Sequence, residues 1–230
     1  MQAKIMASLA AADPLTLSEC IRQAERAGVD CFHLDLEDGQ FVPNITFGLK
    51  VVRSVASYTE LPVHVHLLVR EPERIIEELQ GLRLDSISVH FEAVDYPLRT
   101  LALIHRSGVK AGLAFNPRTS ITDAAYAFGF CESLLLMTNE PDLLGERFLN
   151  SSYERVSLAQ RLFRAEPEHV DHEIIVDGDI DTDTITVVIS AGATAVVCGR
   201  AVFGTPDIAA NVKALRAAAL ARETKTKKQD

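Results

Sequence analysis

Eight short apolar runs alternate with eight amphipathic stretches, which predicts an α/β protein, a single (β/α)8 TIM barrel. The 230-residue length fits one such barrel, which typically takes about 200–250 residues. Polar residues also gather where several apolar runs end, and barrels of this class build their sites at the carboxyl ends of the strands. No Gly-x-Gly-x-x-Gly follows the first run, so a doubly wound dinucleotide-binding sheet is disfavoured.

The predicted strands are Lys4–Leu9, Cys31–Leu36, Val63–Leu67, Ser86–His90, Lys110–Ala114, Ser133–Met137, Glu173–Val176 and Ala195–Cys198. Each is short and rich in apolar residues, as a strand buried by helices should be. Helical spacing of apolar residues predicts helices over Leu15–Ala27, Leu49–Ala56, Pro72–Leu79, Tyr96–Arg106, Ile121–Phe128, Ser152–Phe163, Asp183–Ser190 and Asp207–Ala221. Gly28, Gly108 and Gly192 each follow a predicted helix and precede a strand, the position of a helix stop. No linker or low-complexity stretch divides the chain, so one domain over residues 1–222 is expected. The basic end, residues 223–230, reads as a solvated, disordered tail.

The composition is 47% hydrophobic and 24% charged, that of a soluble globular protein. A net charge of −9 argues against nucleic acid or an anionic membrane as partner. No apolar run approaches the ~20 residues that span a bilayer, and the start lacks a basic-then-apolar signal pattern. Cys20, Cys31, Cys131 and Cys198 are widely spaced in or near apolar segments. They read as buried thiols in a reducing, cytoplasmic setting.

Chemistry concentrates in three stretches. In Phe32–Asn44, strand parity puts His33, Asp35 and Glu37 on one face and Leu34 and Leu36 on the other. Val63–Leu67 repeats the pattern with His64 and His66, and Ile174–Gly178 ends an apolar run on Asp177. Two His and two Asp from three strand ends make a candidate divalent-metal site. His64 lies deeper than His66 on the same face, as a residue behind the ligands or a satisfied core histidine. Asp38 is expected to cap the following turn and Asn116 to anchor another, and His90 is read as structural or as part of the site.

At these residues the chain resembles the ribulose-phosphate 3-epimerase family. The matching segments begin at His33–Gly48, Val65–Val69 and His90–Ala93. Gly112–Pro117, Leu136–Thr138, Val176–Ile180 and Ala201–Gly204 follow in family order over nearly the whole chain. The resemblance implies a barrel of the ribulose-phosphate-binding type that epimerises a ketose phosphate at its third carbon. It also implies one divalent ion (Zn, Mn, Fe or Co) held by His33, Asp35, His66 and Asp177. Asp35 and Asp177 would be the paired acid and base, exchanging a proton on opposite faces of an enediolate that the ion stabilises. Ser8, His66, Met137, Gly178, Asp179, Gly199 and Arg200 would meet substrate, and Leu68 would flank it. Barrels of this type commonly associate, so a homo-oligomer is expected alongside a small-molecule ketose or ketose phosphate.

The departures from the family pattern fall on the phosphate grip. A Gly-rich loop after the sixth strand is replaced by Asn139–Phe148, which keeps one Gly and carries three acids. Paired Gly after the seventh strand becomes Gly178-Asp179, and Gly-Ser after the eighth becomes Gly199-Arg200. A carboxylate ~4 Å from a phosphate charge costs about 4 kcal/mol at an effective dielectric of ~20. Asp179 could be neutralised by Arg200, or Arg200 could bind an anion itself. Alternatively Asp179 points to solvent and backbone N–H groups still hold phosphate. Glu37 stands where the family commonly has Met and His64 where it commonly has Asp; with Leu68 and Arg147 they are candidates for specificity. An epimerase of another ketose, a free ketose or a sugar acid is therefore a second reading. A non-catalytic sugar-phosphate-binding barrel is a third, disfavoured because binding alone needs no opposed acid pair. Decarboxylases and synthases of similar shape carry a barrel Lys, and these strand ends carry none.

Overall fold

The computed structural model describes residues 2–140, 147–165 and 172–220. Eight parallel strands close into a barrel in chain order. They are β1 Lys4–Ser8, β2 Cys31–Glu37, β3 Val63–Leu68, β4 Ser86–His90, β5 Lys110–Phe115, β6 Ser133–Met137, β7 Glu173–Asp177 and β8 Ala195–Cys198. The connections carry α1 Leu17–Ala27, α2 Leu49–Tyr58, α3 Pro72–Leu79, α4 Pro97–Arg106, α5 Ser152–Arg164, α6 Thr184–Ala191, α7 Arg200–Phe203 and α8 Ile208–Leu220.

Strand parity creates two apolar layers. Outward residues such as Ile5, Phe32, Leu34, Leu36 and Val65 join Ile21, Val52, Ile76, Leu101 and Val212 of the helices in one continuous buried cluster. Full burial of each large aliphatic or aromatic side chain contributes about 1.5–3 kcal/mol. A smaller cluster of Met6, Cys31, Ala114, Leu135, Met137, Ile175, Ala195 and Val197 belongs to the inward face. Along β2 that inward face runs from Cys31 to His33, Asp35 and Glu37, so the lining turns from apolar to acidic toward the strand's carboxyl end.

Register brings the chemistry together. β2 pairs with β3 so that His33 lies beside His64 and Asp35 beside His66. Ser8 of β1 is level with His33, and Met137 of β6 is level with Asp177 of β7. Gly28 closes α1 at φ +86°, a left-handed conformation that suits glycine, and its N–H bonds the Ala24 carbonyl.

Several boundaries differ from expectation. Leu15 does not start a helix, because Pro14–Thr16 forms a 3-10 turn whose Leu15 N–H donates to the Asp13 carboxylate. α1 therefore begins at Leu17, and Leu15 is 93% exposed. The stretch expected as Ile121–Phe128 is a 3-10 helix over Ile121–Phe130, and α7 has no counterpart among the predicted helices. Cys31, Cys131 and Cys198 are buried thiols, but Cys20, near the exposed end of α1, is only partly buried. The expected tail at 223–230 lies outside the described residues. Among the described residues, no helix is long and apolar enough to cross a membrane.

Candidate active site

The carboxyl end of the barrel opens into a cavity of about 510 Å³. Four side chains converge at its base: His33 and Asp35 on β2, His66 on β3 and Asp177 at the end of β7. One ligating atom from each lies within 4.8 Å of the others. His33 Nε2 is 2.8 Å from Asp35 Oδ1 and 3.4 Å from Asp177 Oδ2. His66 Nδ1 is 3.1 Å from the same Asp35 oxygen and 3.6 Å from the same Asp177 oxygen. Both imidazoles are fully buried, while the carboxylates each retain 13% side-chain exposure toward the cavity.

The electrostatics are those of a place built for positive charge. Burial opposes charging His33, yet Asp35 and Asp177 outweigh it and push its pKa up to about 10. Burial likewise opposes ionising the two acids, but His33 and His66 hold Asp177 below the ordinary range and Asp35 well below it. Ser8 Oγ donates to Asp35 Oδ2 at 3.0 Å, which also favours the ionised form. Two imidazole nitrogens and two carboxylate oxygens are a donor set that a borderline divalent cation fits.

The carboxylate-bearing strand ends are tied down from outside. Thr46 Oγ1 donates to the Asp35 carbonyl, and Thr138 Oγ1 donates to the Asp177 carbonyl at 2.9 Å. Asp38 accepts from the N–H groups of Gln40, Phe41 and Arg70, each at 2.8 Å, and so is occupied in the turn as expected. Asn116 is a turn anchor: its N–H reaches Glu92 and its carbonyl accepts from Arg155.

Of the residues expected to meet substrate, Ser8, Met137, Gly178, Asp179, Gly199 and Arg200 line the cavity, as do Glu37 and Leu68. His66 and His64 lie buried beneath it, with His64 against His33 and not against the cavity space. Arg147 is exposed and is not among the lining residues. In the predicted phosphate loop, residues 141–146 lie outside the described residues.

Thr46, Asn44, Asn139 and Asp181 also line the cavity and were not singled out by sequence. Thr46 and Asn44 sit inside the quoted His33–Gly48 match, which was the available signal. Asn139 has a steric one: a Cβ at Gly178 would come 2.2 Å from its Oδ1, so the glycine admits it. The far wall holds Asp179 in a left-handed conformation, φ +53°, directly after Gly178 at φ +116°. Arg200 Nη2 donates to Asp179 Oδ1 at 2.8 Å, so this wall carries a closed ion pair. Of the two side chains, Arg200 is 60% and Asp179 33% exposed.

The Ribulose-phosphate 3 epimerase family profile matches residues 4–203. The chain is 39% identical over 204 residues to a ribulose-phosphate 3-epimerase of Bacillus subtilis, covering 89% of this chain and 94% of that one. It belongs to the ribulose-phosphate 3-epimerase family. A ribulose-phosphate 3-epimerase of Methanocaldococcus jannaschii is 38% identical over 217 residues, covering 94% of this chain and 91% of the relative. Family membership makes the chain an isomerase of the carbohydrate-epimerase kind. A solved 3-hexulose-6-phosphate synthase shares the barrel, with a TM-score of 0.68, 18% identity and coverage of 94% of this chain and 99% of that one. At that identity the likeness extends to the fold alone.

Proposed function

We propose that this chain is a divalent-metal-dependent 3-epimerase of a ketose phosphate, of the D-ribulose 5-phosphate to D-xylulose 5-phosphate type. The observation that carries the reading is the pair Asp35 and Asp177, two acids from separated strands that face one cavity with two buried histidines against them. His33, Asp35, His66 and Asp177 would hold the cation. When bound, it supplies the positive charge that stabilises an enediolate. Asp35, drawn further down and hydrogen-bonded by Ser8, starts ionised and removes the proton on the third carbon. The two-acid scheme requires Asp177 to carry the proton for the other face; burial and the Asp35 charge favour that form, while His33 and His66 pull toward ionisation. Met137 and Leu68 supply apolar walls that exclude water from the reacting carbons. A small-molecule substrate, a cytoplasmic setting and a homo-oligomeric state belong to the same reading.

Metal-reconstituted protein in deuterium oxide tests it with D-ribulose 5-phosphate. Deuterium should enter at the third carbon and the epimer should accumulate; a ketose recovered without label would overturn the reading.

One observation favours a second reading of the substrate. The Asp179–Arg200 pair stands where backbone N–H groups would grip phosphate, and the sequence over 139–146 contains no Lys or Arg to replace it. A free ketose or a sugar acid then competes with the phosphate ester. The double variant Asp179→Gly, Arg200→Ser should raise kcat/KM for the phosphorylated substrate by about tenfold if the pair obstructs a dianion. Unchanged kcat/KM, with the phosphate ester already preferred over the free ketose, would return the assignment to the ordinary substrate.

A further inference from the structure

Each of the two candidate metal-ligating histidines turns its second nitrogen toward another histidine, and the two relays end differently. His66 Nε2 is 3.0 Å from His90 Nε2, and His90 Nδ1 is 3.1 Å from Glu92 Oε2. An ionised carboxylate only accepts, so His90 carries its proton on Nδ1. In the neutral ring, His90 Nε2 then accepts from His66 Nε2–H, which leaves the His66 Nδ1 lone pair facing Asp35 and Asp177. Asn116 N–H fixes the outer oxygen of Glu92 at 2.7 Å.

The other relay has no carboxylate. His33 Nδ1 is 2.9 Å from His64 Nδ1, and His64 Nε2 is 2.8 Å from Ser88 Oγ. One proton occupies the gap between the two Nδ1 atoms. A lone pair at His33 Nε2 requires that proton to sit on His33, so His64 Nδ1 accepts and its Nε2–H donates to Ser88. Gly112 makes room for the anchor: a Cβ there would come 2.5 Å from Ser88 Oγ and 2.3 Å from Ser133 Oγ.

We propose that His64 is a positioning residue, a neutral acceptor anchored by Ser88 that fixes His33 as an Nε2 donor to the cation. The relay behind His66 ends in a charge and the one behind His33 in a hydroxyl, so His33 is the less strongly backed ligand. Outer partners of this kind are worth about 10–100-fold in metal affinity. The inference rests on the metal-binding part of the proposed function, and not on its chemistry.

The test titrates apo full-length protein with Mn²⁺ against a chelator of known affinity. His64→Leu, which removes the acceptor, should weaken binding about 10–100-fold. His64→Asn, which restores a neutral acceptor oxygen, should recover most of that loss, and His64→Asp should bind more tightly than the parent. Ser88→Ala, a smaller change, should weaken binding by less than His64→Leu. In metal-loaded parent protein, nitrogen NMR should show His33 protonated on Nδ1 alone. Equal affinity in His64→Leu and the parent would overturn the proposal, as would equal losses in the Leu and Asn variants, which would assign the effect to packing. Should the Leu variant not fold, the Asn, Asp and Ser88→Ala series decides, and affinities all equal to the parent's would overturn it. Parent protein that binds Mn²⁺ without epimerising anything would defeat the epimerase reading and leave this one standing.

Discussion

Asp177→Asn should lower kcat for epimerisation by about 10³-fold or more while leaving the barrel folded, within the 10²–10⁴ range a positioned acid or base contributes. The amide keeps the shape of the carboxyl but neither holds a labile acidic proton nor takes one up. The sharper expectation concerns what survives. With Asp35 intact and hydrogen-bonded by Ser8, proton removal from one face continues. Ketose incubated with the variant in deuterium oxide should therefore gain label at the third carbon faster than it forms epimer. Asp35→Asn should suppress both label and epimer from the D-ribulo side, because the base on that face and an oxygen shared by His33 and His66 are altered together. Turnover within tenfold of the parent in either variant would sink the two-acid scheme. Neither aspartate belongs to the two buried apolar clusters, so circular dichroism should stay close to the parent's.

The sequence carried the fold because parity and burial leave a simple trace. Leu34 and Leu36 point to the helices, His33 and Asp35 point inward, and alternation alone separates them. Gly28 and Gly192 stop helices for the reason that makes glycine recognisable, a positive φ at the stop. Register was not legible. That Asp35 lies beside His66, and His33 beside His64, is set by the closure of eight strands, to which residues far apart in the chain all contribute. The Asp179–Arg200 pair could be anticipated because both follow neighbouring strands, β7 and β8, at their carboxyl ends. The relay through His64 to Ser88 could not, since its members are 24 residues apart and Ser88 has no motif of its own. The 3-10 helix over Ile121–Phe130 reads as an ordinary helix in the sequence because 3-10 runs longer than about three or four residues are uncommon.

Exhaustive chelation should abolish epimerisation and lower the melting temperature, and a divalent cation should restore both. The base of the cavity holds two carboxylates, drawn toward ionisation, against two fully buried imidazoles. A cation bound to the folded chain at 100 times its dissociation constant adds about 2.7 kcal/mol. For a barrel of this size that corresponds to a shift of about 5–10 °C. Ligating imidazole is neutral, so loading should also release protons, visible as a fall in pH in weakly buffered solution. His66→Ala provides the control, because it removes one of four converging donors and leaves both carboxyl groups in the chain. Elemental analysis should find the ion depleted in that variant, and its melting temperature should no longer respond to added cation. Parent-like metal content in His66→Ala would contradict the ligand assignment, and full turnover in chelated parent protein would show that the four residues serve proton transfer without a cation.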